Sequence, residues 1–326
     1  MKKTLLTVFI ALACLTAVFL SSCSDTGKTD KYTVGICQLA PHPALDEATR
    51  GFKEALTEKL GDKVTFNYQN AAGDPATSST ICSNFVASGV DLIMANATTA
   101  LQAASSATAK IPIIGTSITD YATALDIENW TGATGKNISG TSDLAPLDKQ
   151  AEMVAELFPA ETHGVAGILY CSGEPNSIYQ VNVVKPKLES LGYTVKTFAF
   201  SDSNDVASVT QLACNECDVL YIPTDNTAAE CAEAINNVAL PAGKPIIAGE
   251  ENICRACGVA TLSISYYDIG YKAGLMAYEV LTGKADIKTL DIQFAASVTK
   301  MYNSAIATAL GVTIPEGYEV IAELEG

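Results

Sequence analysis

Basic and aromatic side chains are scarce in this 326-residue sequence, and the shortage excludes several kinds of function. There are two histidines and one tryptophan, and Lys plus Arg number 20 against 36 for Asp plus Glu. The resulting net charge of −16 disfavours binding to nucleic acid or to anionic membrane surfaces. Two histidines also leave little for general base catalysis.

Motifs of common catalytic and nucleotide-binding sites are absent from the sequence. It contains no Walker lysine loop, Gly-x-Gly-x-x-Gly turn, His-Glu-x-x-His pair or Gly-x-Ser-x-Gly elbow. His163 precedes a predicted strand and is expected at the surface, whereas His42 lies between two prolines at a predicted strand end. We therefore expect a protein that is not an enzyme and that uses no cofactor.

The N-terminus has the layout of a bacterial lipoprotein signal. Lys2 and Lys3 precede an apolar run, which ends in Leu20-Ser21-Ser22-Cys23. This pattern predicts a signal peptide over residues 1–22, cleavage before Cys23, a diacylglycerol on the Cys23 thiol and a flexible tether over 23–31. An uncleaved transmembrane helix is the alternative, although the run is at the short limit for spanning. We expect the rest of the chain to work outside the cytoplasmic membrane, held there by the lipid alone.

Cysteine is unusually frequent for an exported chain. Two C-x-x-C pairs, Cys214/Cys217 and Cys254/Cys257, suggest a zinc or redox site. The spacing between the pairs is longer than in usual zinc ribbons, and neither pair heads a thioredoxin-like helix. We expect no metal, and we leave open a local disulfide at either pair.

Short apolar strands alternate with amphipathic helices along nearly the whole chain. The pattern starts at a predicted strand over Tyr32–Gln38 and restarts after a Gly- and Thr-rich loop over Asn129–Asn137. Pro186 falls inside a predicted helix and should kink or break it. The alternation predicts an α/β fold of two similar domains, each with a mostly parallel sheet.

Ligands of such sheets bind beyond the carboxyl ends of the strands. The loops at these ends concentrate hydroxyls, amides and carboxylates, with few Lys or Arg. This composition favours a small hydrogen-bonded ligand over a polyphosphate. Trp130 is the single tryptophan and arginine is scarce, which weighs against a sugar.

Five separated motifs give the chain a resemblance to a known family. They are His42-Pro43-Ala44-Leu45-Asp46, the Gly73-Asp74 turn, Glu174-x-Asn176-Ser177, Asp225-Asn226 and Tyr266-Tyr267-Asp268-Ile269-Gly270. From Tyr32 onward the chain resembles the ABC transporter substrate-binding proteins, some of which bind tryptophan, tyrosine or phenylalanine. The chain departs from the family pattern at Tyr121, where a proline usually follows Thr119-Asp120.

The resemblance implies a type I periplasmic-binding-protein fold, in which two Rossmann-like lobes are joined by a hinge. Lobe 1 would comprise 32–139 and 266–292, and lobe 2 would comprise 140–265 and 293–326. It implies a monomer that captures an aromatic amino acid between the lobes and delivers it to an ABC permease and its ATPase. A ligand-sensing receptor of the same fold, or a nucleoside or sugar ligand, is the alternative. A redox or metal protein is the weakest one.

We assign candidate ligand contacts on this basis. The ligand carboxylate would meet hydroxyls, amides and helix N-termini, and its ammonium would meet Asp225, with Glu174 or Asp120 as second choices. Each acid could equally cap a helix, and Tyr267 could lie in the core behind the hinge. The candidates are Pro41, His42, Asp46, Thr98, Thr99, Ser117, Asp120, Glu174, Asn176, Ser177, Asp225, Asn226, Tyr266 and Tyr267.

Overall fold

Strands and helices alternate through the first half of the chain. The structure, a computed structural model, describes residues 31–322. The predicted signal segment and Cys23 lie outside these residues. In chain order the elements are β1 (Tyr32–Gln38), α1 (Pro43–Leu60), a 3-10 turn (Gly61–Lys63), β2 (Val64–Asn70), α2 (Pro75–Ser88), β3 (Leu92–Asn96), α3 (Thr98–Ala107), β4 (Ile113–Ile118), α4 (Tyr121–Ala124) and β5 (Ile138–Ser142).

The second half repeats the alternation and ends in two short strands, the last of which lies at a sheet edge. Its elements are α5 (Leu147–Leu157), β6 (Val165–Cys171), α6 (Pro175–Ser190), β7 (Thr194–Phe200), α7 (Val206–Glu216), β8 (Val219–Ile222), α8 (Asn226–Glu230), α9 (Ala232–Ala239), β9 (Ile246–Ala248), α10 (Glu251–Cys257), β10 (Ala260–Ser263), α11 (Tyr266–Leu281), a 3-10 turn (Ile287–Thr289), β11 (Thr299–Tyr302), α12 (Ser304–Leu310) and β12 (Glu319–Val320).

These strands form two sheets, and both have a point where the strand order reverses. The first sheet is parallel throughout, with the order β2-β1-β3-β4-β5. The second has the order β12-β11-β10-β9-β8-β6-β7, in which the β10–β11 pair is antiparallel. Crevices open where adjacent strands lead to opposite sides, here beyond β1 and β3 and beyond β6 and β8. The α/β prediction is confirmed, and both crevices carry predicted site residues.

Each sheet buries apolar side chains on both faces, as parallel sheets do. On the first sheet, Phe85 and Leu101 belong to the core on one face, and Phe52 and Met94 to the core on the other. The strands β3 and β4 are buried along their full length, which explains the apolar runs over residues 92–95 and 113–114 at their starts. Among residues 31–322, no helix combines the length and apolarity that crossing a bilayer requires.

The chain returns to the first sheet through α11, which follows β10 of the second sheet and packs along α1. The two helix backbones touch, because a Cβ on Gly270 would lie 2.1 Å from the Ala48 carbonyl oxygen. A Cβ on Gly51 would likewise lie 2.3 Å from the Tyr267 carbonyl oxygen. Glycine is therefore required on both helices of this junction.

Two of the sequence predictions concern a helix break and the division into lobes. Helix α6 runs through Pro186 to Ser190, so the predicted break does not occur. The predicted lobe division remains a prediction. Strand β5 pairs within the first sheet as far as Ser142, which lies past the predicted crossing between residues 139 and 140. Thr141 also forms a parallel bridge with Gln293, where the predicted last crossing begins.

Candidate functional site

An enclosed cavity lies between the ends of the two sheets. Its volume is about 10 Å³ in this arrangement, roughly the space of one water molecule, so a larger ligand requires the lobes to move apart. Its lining comes from both sequence halves: His42, Leu45, Ser117, Thr119, Asp143, Asn176, Thr224, Asp225, Asn226, Ala229, Glu250 and Tyr266. Six of the fourteen predicted contacts line it, namely His42, Ser117, Asn176, Asp225, Asn226 and Tyr266.

The other predicted residues lie around the cavity or away from it. Glu174 and Thr99 line an adjoining groove, and Pro41 is exposed at the rim of another. Ser177 is buried behind Asp225, to which its hydroxyl donates. Asp120 caps α4 through the Thr123 N–H.

Three further candidates belong to the first sheet or to its helices. Thr98 is buried at the start of α3, and Asp46 accepts from Gln38 on the surface of α1. The Tyr267 hydroxyl donates to Glu54, and its ring lies 4.3 Å from the Arg50 guanidinium. Tyr267 therefore belongs to the α1–α11 junction and is not a wall of the cavity.

The carboxylates of Glu174 and Asp225 accept hydrogen bonds from several segments of the second half of the chain. Glu174 accepts from the N–H and side-chain amide of Asn226, from the N–H and hydroxyl of Thr227 and from the Asn176 amide, at 2.7–3.0 Å. Asp225 caps α8 through the Ala228 N–H, and also accepts from the Cys171 N–H and the Ser177 hydroxyl. These contacts connect the ends of β6 and β8, so both acids are structural whatever else they do.

Asp143 and Glu250 are two acids of the cavity that the sequence analysis did not select. Asp143 follows β5 and accepts from the Thr119 hydroxyl at 3.2 Å and the Tyr266 hydroxyl at 3.1 Å. Glu250 caps α10 by accepting from the N–H groups of Asn252 and Ile253. Glu250 follows a predicted strand, and this position could have identified it as a cavity residue from the sequence. Asp143 lies on a connection between the sheets, and only the fold shows where that connection runs.

Burial without a countercharge perturbs the titration of these acids. It raises the pKa of Asp143 to about 6 and that of Glu250 to about 7. Burial, together with the nearby Glu174 carboxylate, raises the pKa of Asp225 to about 7. No lysine or arginine is among the residues that line the cavity. The cavity therefore has a deficit of positive charge whenever its acids are ionised.

Three polar side-chain atoms of the cavity lining have no hydrogen-bond partner among the described residues. They are Nδ1 of His42, Oγ of Ser117 and Oδ1 of Asn176. Ser117 also has a positive φ of 57°, at the irregularity in the β4–β5 pairing. Buried polar groups are normally paired, and backbone strain concentrates at functional sites. Both observations point to a polar ligand.

Tyr121, the departure from the family pattern, is a core residue. Its hydroxyl donates to the Thr141 carbonyl oxygen at 3.1 Å, and its side chain is fully buried. The hydroxyl lies where Cβ atoms on Gly115 and Gly140 would otherwise be. The side chain therefore supports β4 and β5 from behind, and its phenol does not reach the cavity lining.

The paired cysteines form no bridge in the described structure. Cys214, Cys217, Cys254 and Cys257 are all buried in the apolar core of the second sheet. Burial raises the pKa of Cys217 to about 11 and that of Cys254 well above its ordinary value. Protonated thiols are poor metal ligands and poor nucleophiles, so these side chains act as small apolar residues.

Two lobes with a polar cavity enclosed between them define a protein that binds a small solute. Residues 33–324 match the family model described as ABC transporter substrate binding protein, and the chain belongs to this family. A curated relative named tyrosine-binding protein, from Clostridioides difficile strain R20291, is 37% identical over 278 residues, which cover 82% of this chain and 80% of the relative. The family resemblance and the type I fold are thereby confirmed.

Two solved structures of similar sequence differ in how well they superpose on this chain. A domain from Streptococcus pneumoniae in complex with L-Trp is 32% identical and covers 89% of this chain and all of its own, with a TM-score of 0.84. The ligand-free, open structure of a substrate binding protein with adhesive properties from Clostridium difficile is also 32% identical, covering 89% of this chain and 99% of its own, with a TM-score of 0.67. At equal identity, the present arrangement is therefore nearer to the ligand-bound relative.

Proposed function

We propose that this protein captures an aromatic amino acid, as a zwitterion, in the cavity between its lobes. The observation that carries the proposal is the set of three buried acids, Asp143, Asp225 and Glu250, in a lining without lysine or arginine. A ligand ammonium supplies the positive charge that this lining lacks. Ionised acids buried without such a partner are strongly disfavoured.

Asp143 is the acid best suited to the ammonium. A carboxylate has about four lone-pair positions, and the other described residues give Asp143 two donors, the Thr119 and Tyr266 hydroxyls. Asp225 accepts from three donors and Glu174 from five. We therefore place Asp143 before Asp225, our first choice from the sequence, and assign Glu174 a positioning role.

The ligand carboxylate fits beside Ser117 and the start of α3. The buried hydroxyls of Ser117 and Thr98 both lack a hydrogen-bond partner among the described residues. The Ala97 N–H donates to the Thr116 carbonyl oxygen, which brings the start of α3 next to Ser117. The first N–H groups of a helix favour an anion, so Thr98 and Thr99 support the same pole.

The remaining wall has the surface chemistry that suits an aromatic side chain. Tyr266, His42, Leu45 and Ala229 supply aromatic and apolar surface in the lining. The relatives point the same way, because one is named a tyrosine-binding protein and another is solved with L-Trp. We further propose that ligand binding closes a hinge between two lobes. Lobe 1 would comprise 32–139 and 266–292, and lobe 2 would comprise 140–265 and 293–326.

Delivery and anchoring complete the proposal. We infer from family membership that the monomer works outside the cytoplasm and delivers its ligand to an ABC permease and its ATPase. The sequence Leu20-Ser21-Ser22-Cys23 supports attachment to the membrane through a lipid on Cys23.

Calorimetry with purified protein, unfolded and refolded to remove carried ligand, tests the binding site. We expect an aromatic amino acid to bind, and Asp143→Asn to weaken its binding by about 2–5 kcal/mol because the ammonium loses its charged partner. Asp148→Asn, on the exposed side of α5, is the matched control and should bind as the wild type does. Affinities no tighter than millimolar for all aromatic amino acids would refute the function, and normal binding by Asp143→Asn would refute the ammonium site.

A further inference from the structure

The imidazole of His42 connects the two halves of the cavity and has a defined proton position. The ring is 5% exposed, and its Nε2 lies 3.2 Å from the Asn226 side-chain oxygen. The Asn226 amide nitrogen donates to Glu174 at 2.7 Å, which orients the amide with its oxygen towards His42. An amide oxygen only accepts, so Nε2 must carry the proton.

The other ring nitrogen of His42 is then an acceptor. Burial lowers the pKa of His42, which keeps the ring neutral. With the proton on Nε2, the Nδ1 atom presents a lone pair, and it has no partner among the described residues. Leaving a buried acceptor unpaired is unfavourable, so the occupant of the cavity is expected to supply a donor.

The position of His42 identifies which part of the ligand it meets. His42 and Ala229 line the cavity and also an outer groove formed with Pro41, Glu233 and Asn236. Asp143 and Ser117 line the cavity but not this groove. The amino and carboxyl groups of the ligand are assigned to the Asp143 and Ser117 end, which leaves the end of its side chain for His42.

We propose that His42 Nδ1 accepts a hydrogen bond from a donor on the aromatic ring of the ligand, a phenol O–H or an indole N–H. His42 thereby selects tyrosine or tryptophan over phenylalanine. Asn226 and Glu174 act as positioning residues, because they hold the proton on Nε2. The proposal rests on the proposed function. A pocket that contains a hydrogen-bonding group rejects an analogue without the matching group, because its own polar atom is left unpaired.

Calorimetry with four ligands tests this role without altering the protein. Tyrosine should bind about 10- to 100-fold more tightly than phenylalanine or O-methyltyrosine, since one buried hydrogen bond to a neutral acceptor is worth about that ratio. Tryptophan, which keeps a ring donor, should also bind more tightly than phenylalanine. Equal affinities for tyrosine and phenylalanine would overturn the role proposed for His42 and leave the proposed function standing. Failure of every aromatic amino acid to bind would overturn the proposed function as well.

Substitution and ring-nitrogen spectroscopy supply the controls. His42→Phe should weaken tyrosine binding much more than phenylalanine binding, whereas an equal loss for both ligands would show that His42 is only a wall. His163→Phe, at the only other histidine, is the matched control and assigns the two imidazole signals. In nitrogen-15 spectra of the wild type, His42 should show a protonated Nε2 and a bare Nδ1 at pH 7. The reverse tautomer would overturn the proposal even if the variant does not fold.

Discussion

Raising the pH should open the ligand-free cleft, and the three buried acids of the cavity set the direction. Asp143, Asp225 and Glu250 have raised pKa values in the closed arrangement because burial disfavours their ionised forms. The free energy that favours the empty closed state is therefore fully present below the ordinary carboxyl pKa. It is lost as the pH rises through about 6 for Asp143 and about 7 for the other two.

The magnitude can be worked out for Asp143 alone. A rise in its pKa from 3.8 to about 6 corresponds to about 3 kcal/mol against the ionised form in the closed state. Between pH 4 and pH 8 this one group should lower the ratio of closed to open empty protein by roughly 60-fold. A bound ammonium restores the charge balance, so the liganded cleft should stay closed at pH 8.

Small-angle X-ray scattering measures the expected change as a radius of gyration. Ligand-free wild type should expand between pH 5 and pH 8, whereas protein saturated with ligand should not. Asp143→Asn should expand less, because it removes one ionisable group from the cavity, and Asp148→Asn should behave as the wild type does. A ligand-free radius that is constant with pH, or an identical pH response in Asp143→Asn, would refute the reasoning.

Three further predictions concern packing, thiols and anchoring. Gly270→Ala should lower the free energy of unfolding by about 1–3 kcal/mol or more, because its Cβ would lie 2.1 Å from the Ala48 carbonyl oxygen; Gly164→Ala, with its nearest atom at 3.5 Å, is the control in urea titrations. Serine at Cys214 and Cys217, or at Cys254 and Cys257, should lower stability and leave ligand affinity within about twofold; stoichiometric zinc in the wild type, lost in these variants, would contradict this. Cys23→Ala should release the protein from membranes or block its processing; a lipidated mature variant in the membrane fraction would show that the predicted lipobox is wrong.

The sequence predicted the fold well because its signals are local. Short apolar strands such as β3 and β4 arise from burial on both faces of a sheet, and Asp225 caps a helix, which was one of its two predicted roles. Of the predicted kink or break at Pro186, the break is wrong, because a proline inside a helix can be tolerated when the surrounding residues pack well. In α6, Val184 and Leu188 on either side of it are fully buried in the core.

The site was predicted less completely because several of its polar groups form hydrogen bonds with one another. Ser177, Asn176 and Glu174 were chosen as ligand contacts from their strand-end positions, but the structure joins them to Asp225, Thr224 and each other. Strand-end position identifies the edge of the sheet at which a residue lies, and it does not say whether a ligand or a neighbour satisfies that residue.

Asp143 shows what a sequence pattern cannot contain. It follows β5 on the connection that leaves the first sheet, and its partners Thr119 and Tyr266 come from positions 24 and 123 residues away along the chain. Those separations close only when β4, β5 and the start of α11 meet at the cavity. The acid is then buried, holds few donors and lies where both lobes contribute to the lining. Asp143, our first choice for the ligand ammonium, is thus defined by tertiary structure. The comparison of Asp143→Asn with Asp148→Asn therefore tests the part of the binding site that local sequence does not determine.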